Sequence, residues 1–121
     1  QFIDGGALGF DTIAAETVIE MRKKYQNIKL VMYLPCYGQS KMWKESEQFR
    51  YRMVLSKADK IIYITESVYT DDCMKLRNLK MIKDSSFCIA FCLMQKSGTG
   101  FTLRNAENVG IQIVNIADEI Y

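Results

Sequence analysis

Gln1-Phe2-Ile3-Asp4-Gly5-Gly6-Ala7-Leu8-Gly9-Phe10-Asp11-Thr12 opens the chain with a short apolar stub, a Gly-Gly-x-x-Gly turn and the start of a helical pattern. Strand, glycine loop and helix in that order are how α/β folds turn backbone N–H groups toward a phosphate. Glycine lets the backbone come close to a ligand, and the orphan amides and dipole of a helix start favour an anion. The spacing is not that of the dinucleotide fingerprint GxGxxG, and no Gly-Lys-Ser/Thr follows to make a P-loop. Read alone, the turn serves equally as a tight strand-to-helix connection. The stub is abrupt, with no initiator Met, so the sequence is expected to be a fragment lacking upstream residues.

Working outward, Gly9 or Asp11 is placed to cap a helix running to about Lys24, with Ile13, Ala14, Val18 and Met21 as its apolar stripe. Ile28 to Leu34 is a near-continuous apolar run ended by Pro35, the pattern of a strand buried on both faces. A loop over Cys36 to Lys41 leads to a second helix from Trp43 to Ala58, then a strand over Lys60 to Ile64. The polar stretch Thr65 to Asp72 precedes a third helix, Cys73 to Lys83, and a strand from Phe87 to Leu93. A second glycine-rich turn, Lys96 to Gly100, is followed by a helix near Phe101 to Asn108 and a last strand from Ile111 to Ile116. Strands alternating with helices at this rhythm predict an α/β chain. The expected architecture is a Rossmann-like three-layer fold, one domain with a mostly parallel sheet of about five strands. Ligands then belong at the edge where the strands end.

Composition narrows the function. The 121 residues are 49% apolar and 25% charged, the balance of a globular domain large enough for its own core. No apolar run reaches the roughly 20 residues that span a bilayer, and no signal peptide is visible, so a cytoplasmic protein without membrane contact is expected. Net charge is +2 with basic and acidic residues interleaved, which does not indicate a nucleic-acid partner. With no histidine in the chain, Ser–His and Cys–His catalysis are excluded. Cys36, Cys73, Cys88 and Cys92 lack metal-type spacing and read as reduced, buried thiols, so no metal site is expected.

Two further segments carry potential chemistry. Ser97-Gly98-Thr99-Gly100-Phe101-Thr102 again lies between a strand and a helix, so a second helix start could face the same crevice as the first. Hydroxyls of Ser97, Thr99 and Thr102 could join backbone amides around a phosphate or ribose, or Thr99 could simply cap its helix. Arg77-Asn78 on the third helix offers a planar fork for phosphate or carboxylate and an amide for a base or sugar edge, although such a pair also suits a solvated face. Trp43 and Tyr37 are placed to stack on a base or to pack internally.

Taken together, Gly5-Gly6-Ala7-Leu8-Gly9-Phe10-Asp11-Thr12 with Ala14-Ala15-Glu16, Leu34-Pro35 with Gln39 and Trp43, Tyr69-Thr70 before Cys73 and Arg77-Asn78, and Gly98-Thr99 with Phe101-Thr102 resemble the YpsA-like branch of the SLOG superfamily. That superfamily includes cytokinin-activating LOG enzymes and DprA single-stranded-DNA loaders. The resemblance runs through nearly the whole chain. It implies a Rossmann-like sheet that binds nucleotides or their derivatives, and about 40 absent upstream residues including a first strand. It places ligand-facing positions at Gly5, Gly6, Gly9, Asp11, Arg77, Asn78, Gly98 and Thr99, with Ser97 beside them. LOG-type hydrolases resemble one another in a PGGxGTxxE segment whose glutamate serves catalysis. Here Thr102 stands where that glutamate would be, Lys96-Ser97 replaces the glycine pair, and Lys83 occupies a position where relatives tend to carry an acid.

These readings favour a nucleotide-binding domain that senses or sequesters a ligand such as an ADP-ribose-type nucleotide. It would require no cofactor beyond that bound nucleotide, and a homodimer is the expected assembly by analogy. The enzymatic alternative is hydrolysis of a nucleotide N-glycosidic bond, for which Asp11 and Glu16 are the carboxylates near the glycine turn. A third reading, DprA-like binding of single-stranded nucleic acid, predicts steep salt dependence.

Overall fold

The computed structural model describes residues 1–65, 72–94 and 96–120. Along them run β1 (Phe2–Asp4), α1 (Phe10–Met21), β2 (Leu30–Leu34), α2 (Glu45–Lys57), β3 (Lys60–Tyr63), α3 (Cys73–Lys83), β4 (Phe87–Ala90), α4 (Gly98–Asn108), β5 (Gln112–Asn115) and α5 (Ile116–Ile120). The chain falls into two compact units, Gln1–Arg77 and Asn78–Tyr121, with the boundary inside α3. Residues 66–71, and with them Tyr69 and Thr70, lie outside the described residues.

In the first unit β1, β2 and β3 form a parallel sheet in that order. Phe2 sits opposite Leu30 and Asp4 opposite Met32, while Leu34 pairs with Tyr63 across β2 and β3. All five residues of the central strand are buried. Leu30, Met32 and Leu34 share one face of β2, and that face packs against Ala15 and Val18 of α1 and Val54 of α2. Burying such side chains contributes about 1.5–3 kcal/mol each, which makes this cluster the main source of the unit's stability. Asp59 fixes the opposite end of the sheet. Its Oδ2 accepts the Leu30 N–H at 2.8 Å and Arg22 Nη1 at 2.7 Å. The Leu30 N–H first, and Arg22 with it, hold the Asp59 carboxyl below its ordinary pKa.

In the second unit β4 and β5 pair in parallel, with Phe87 opposite Gln112 and Ala90 opposite Asn115. The Asn115 side chain bridges to the Cys92 backbone, accepting its N–H at 2.9 Å and donating to its carbonyl at 3.0 Å. Its Oδ1 also accepts the Ala117 N–H at 3.2 Å, so Asn115 starts α5, a helix the sequence pattern did not suggest.

Three expectations need correction. Among the described residues five strands are present, but they form a three-stranded and a two-stranded sheet, each parallel within itself, rather than one sheet of about five. A sheet grows only through ladder bonds, and among the described residues the β4 ladder is met by β5 alone, with Phe87 and Ile89 left exposed. The second helix starts at Glu45 rather than Trp43. Backbone bonds from Lys41 to Gly38 and from Trp43 to Ser40 hold the preceding residues in turns instead. The fourth helix begins at Gly98, not near Phe101, because Ser97 Oγ accepts the Gly100 N–H at 3.1 Å and caps it there. The supposed second glycine turn is therefore a helical first turn.

Candidate functional site

Because β1, β2 and β3 are parallel, the loops that follow β1 and β2 leave from one edge of the sheet. Gln39, from the loop after β2, reaches the glycine loop after β1: its Nε2 donates to the Gly6 carbonyl at 3.4 Å and to Tyr51 Oη of α2 at 2.9 Å. Gly6 takes φ +70°, and a Cβ there would lie 2.9 Å from Leu34 Cδ2 and 3.2 Å from Tyr51 Cε1. At Gly5 a Cβ would lie 2.7 Å from Arg77 Nη1 and 2.9 Å from Asp11 Oδ2. Both positions demand glycine because the protein's own side chains close on the loop.

The ionisable side chains around the loop are withdrawn from solvent. Asp4 is 7% exposed and Arg77 4%. Asp4 Oδ1 accepts the Gly6 N–H at 2.8 Å, and Asp11 Oδ2 accepts the Ala7 N–H at 3.1 Å. From the far end of the unit, Arg77 Nη1 donates to the Gly5 carbonyl. Burial, and then the neighbouring Asp11, push the Asp4 carboxyl up to about 8, so it is largely protonated at neutral pH. Burial also raises Asp11, opposed by the Arg77 guanidinium and the Ala7 N–H. One guanidinium thus faces two carboxyl groups, of which burial keeps one protonated. The recess beside them is lined by Asp4, Gly6, Asp11, Thr12, Ala15, Met32, Tyr51 and Val54; it measures about 180 Å³ with its open mouth and has no room for a water molecule.

The sequence-derived site residues now have definite places. Gly5, Gly6, Asp11 and Arg77 come together in the first unit. Gly9, with φ +87°, is the N-cap of α1, and no side chain caps that helix start. Glu16 is turned to α2, where Arg50 binds it through Nε at 3.1 Å and through Nη2, which lowers its pKa. In the second unit Ser97 is the α4 N-cap, and its hydroxyl also donates to the Met94 carbonyl at 2.6 Å. Thr102 donates back to the Gly98 carbonyl at 3.1 Å, so both hydroxyls are engaged within the turn. Capping falls to Ser97, not Thr99, which is exposed along with Gly98; Asn78 is half-buried. The Trp43 ring packs edge-on to Tyr51 with centroids 5.0 Å apart, and Tyr37 lies 4.3 Å from Tyr63.

Asp4, Gln39 and Tyr51 were not among the expected site residues. Asp4 had a signal, an acidic residue ending an apolar strand directly before a glycine pair. Among the described residues no group of three His, Cys, Asp or Glu side chains is arranged to hold a metal, and no helix is long and apolar enough to cross a membrane.

The first unit is thus a parallel α/β unit with a glycine loop at its strand-end edge, gripped by a buried arginine. Residues 1–110 match the family described as the YspA SLOG family. The chain is 35% identical over 98 residues to a UPF0398 protein of Bacillus cereus strain B4264, a match covering 80% of this chain and 53% of that relative. A UPF0398 protein of Bacillus thuringiensis strain Al Hakam is 34% identical over the same span. The chain spans about half the length of the curated relatives it matches. It belongs to the YpsA family of SLOG proteins.

Proposed function

We propose that this chain is a nucleotide-binding domain that senses or sequesters a nucleotide or nucleotide derivative at the β1–α1 loop. One observation carries the reading: the N-terminus of α1 follows a parallel strand through a glycine N-cap, and no side chain caps it. A helix start of that kind favours an anion. Membership of a SLOG family supports the same reading, and with it a Rossmann-like arrangement of the strands.

The carboxyl groups refine where a phosphate sits. Gly6 and Ala7 already give their amides to Asp4 and Asp11, so the phosphate contacts the turn from Gly9 onward, at the start of α1. In this reading Asp11 offers its other oxygen to a ribose hydroxyl, and Arg77 keeps the loop in shape by holding the Gly5 carbonyl instead of touching the ligand. Isothermal titration calorimetry with AMP, NAD, ADP-ribose and cyclic nucleotides tests the proposal. Saturable heat for at least one of them, lost in Gly9→Val, supports it. Absence of binding by all four, with the protein folded by circular dichroism, contradicts it. Release of free base during the titration would instead move the chain to nucleotide hydrolysis.

A further inference from the structure

Cys36 follows Pro35 at the end of β2, and Cys73 is the first residue of α3. Both are free thiols, 1% and 0% exposed, and their Sγ atoms lie 3.6 Å apart. The pair stands one helical turn from Arg77, the residue that grips the glycine loop, so Cys73 and Arg77 share a face of α3. Nothing in the nucleotide-binding reading uses these thiols. We propose that Cys36 and Cys73 are a modification site: on oxidation they form an intramolecular disulfide that ties α3, and the Arg77 grip with it, to the loop after β2.

An S–S bond is about 2.05 Å long, so the sulfurs must close by about 1.5 Å, a shift within reach of side-chain rotation and a small backbone adjustment. The oxidant is a peroxide. The thiolate of one cysteine attacks the O–O bond to give a sulfenic acid and release hydroxide. The second thiol then attacks that sulfur, forming the S–S bond and expelling water. In sum two thiols and one hydrogen peroxide give one disulfide and two waters, with sulfur oxidised and peroxide oxygen reduced. Burial first, and then the facing Cys73 thiol, push Cys36 up to about 11, which keeps the thiolate scarce at neutral pH. Reaction therefore proceeds through transient opening of the loop after β2, and it is slow until that loop opens. Exposed Tyr37 and Gly38, at φ +76°, follow Cys36 in this loop.

The test uses the intact chain and needs no ligand, so its outcome is independent of the nucleotide-binding reading. After treatment with hydrogen peroxide, unreacted thiols are alkylated in denaturant and the chain is digested with trypsin without reduction. The expected product joins peptide 30–41 to peptide 61–75, with the loss of two hydrogens and recovery of both free peptides on adding dithiothreitol. Cys88 and Cys92 share the separate peptide 84–96, so they cannot produce this species. The Cys88→Ser/Cys92→Ser double variant should give the linked pair unchanged, and Cys36→Ser should abolish it. Full alkylation of Cys36 and Cys73 after peroxide treatment, or their recovery as sulfinic acids without linkage, would overturn the proposal. A linked pair that formed only in denatured chain would overturn it equally.

Discussion

At the scale of single residues, the buried charges around the glycine loop decide both stability and its dependence on pH. Arg77 donates to the Gly5 carbonyl and balances Asp4 and Asp11. Removing one partner of a buried ionic group leaves the others uncompensated, so Arg77→Met should cost about 3–5 kcal/mol in urea denaturation. Asp4 makes the opposite kind of prediction. Its folded pKa, about 8, stands above the ordinary carboxyl value of 3.8, so between those limits the folded state binds a proton that the unfolded chain has lost. Its contribution is therefore fully present below about pH 4 and is lost as pH rises through about 8. Stability should fall from pH 5 to pH 8, and Asp4→Asn should flatten that decline because the amide cannot ionise. Urea midpoints measured at both pH values check this; a wild-type profile that rises over the window contradicts it. Gly6→Ala, which forces a Cβ to 2.9 Å from Leu34 Cδ2 at positive φ, should cost about 1–3 kcal/mol.

At the scale of elements, the helix starts differ in how they are finished. The start of α4 is closed by Ser97, so Ser97→Ala should cost about 1 kcal/mol and speed amide exchange in the first turn of that helix. The start of α1 is finished by Gly9 with no side-chain cap, which is why the proposed phosphate site is put there and not at α4. Much of this was legible in the sequence. The run Leu30 to Leu34 reads as a doubly buried strand because every residue is apolar, and all five are buried. The glycine spacing after Ile3 marks a strand-to-helix turn because few other residues tolerate φ +70° and +87°. The pattern puts the start of α4 near Phe101 because Gly98 and Gly100 suppress helical pattern locally, whereas one hydroxyl on Ser97 starts the helix at Gly98. The partnership of Arg77 with Gly5 spans 72 residues, and no local periodicity reports it. An arginine of that kind looks like a solvated charge until the fold brings it to the loop.

At the scale of the whole chain, the buried hydrophobic cluster of the described residues lies in the first unit. There β2 is enclosed by α1 and α2, and Leu34, fully buried beside Gly6, couples the core to the site. Leu34→Ala should lower unfolding free energy by about 2–5 kcal/mol and weaken the glycine loop with it. The single sheet expected from the alternation of strands and helices is replaced by two smaller sheets. Pattern reports that strands exist and run parallel, whereas which ladders close depends on contacts between distant segments. The proposed role of the β1–α1 loop is to bind a nucleotide. Its most direct test is an amide chemical-shift titration of ¹⁵N-labelled protein with ADP-ribose. Saturable shifts are expected, centred on Gly9, Phe10 and Asp11, with smaller changes at Gly5, Gly6 and Ala7 and along the rest of α1. Unchanged loop amides at saturating ligand, or shifts confined to residues remote from that loop, would contradict it.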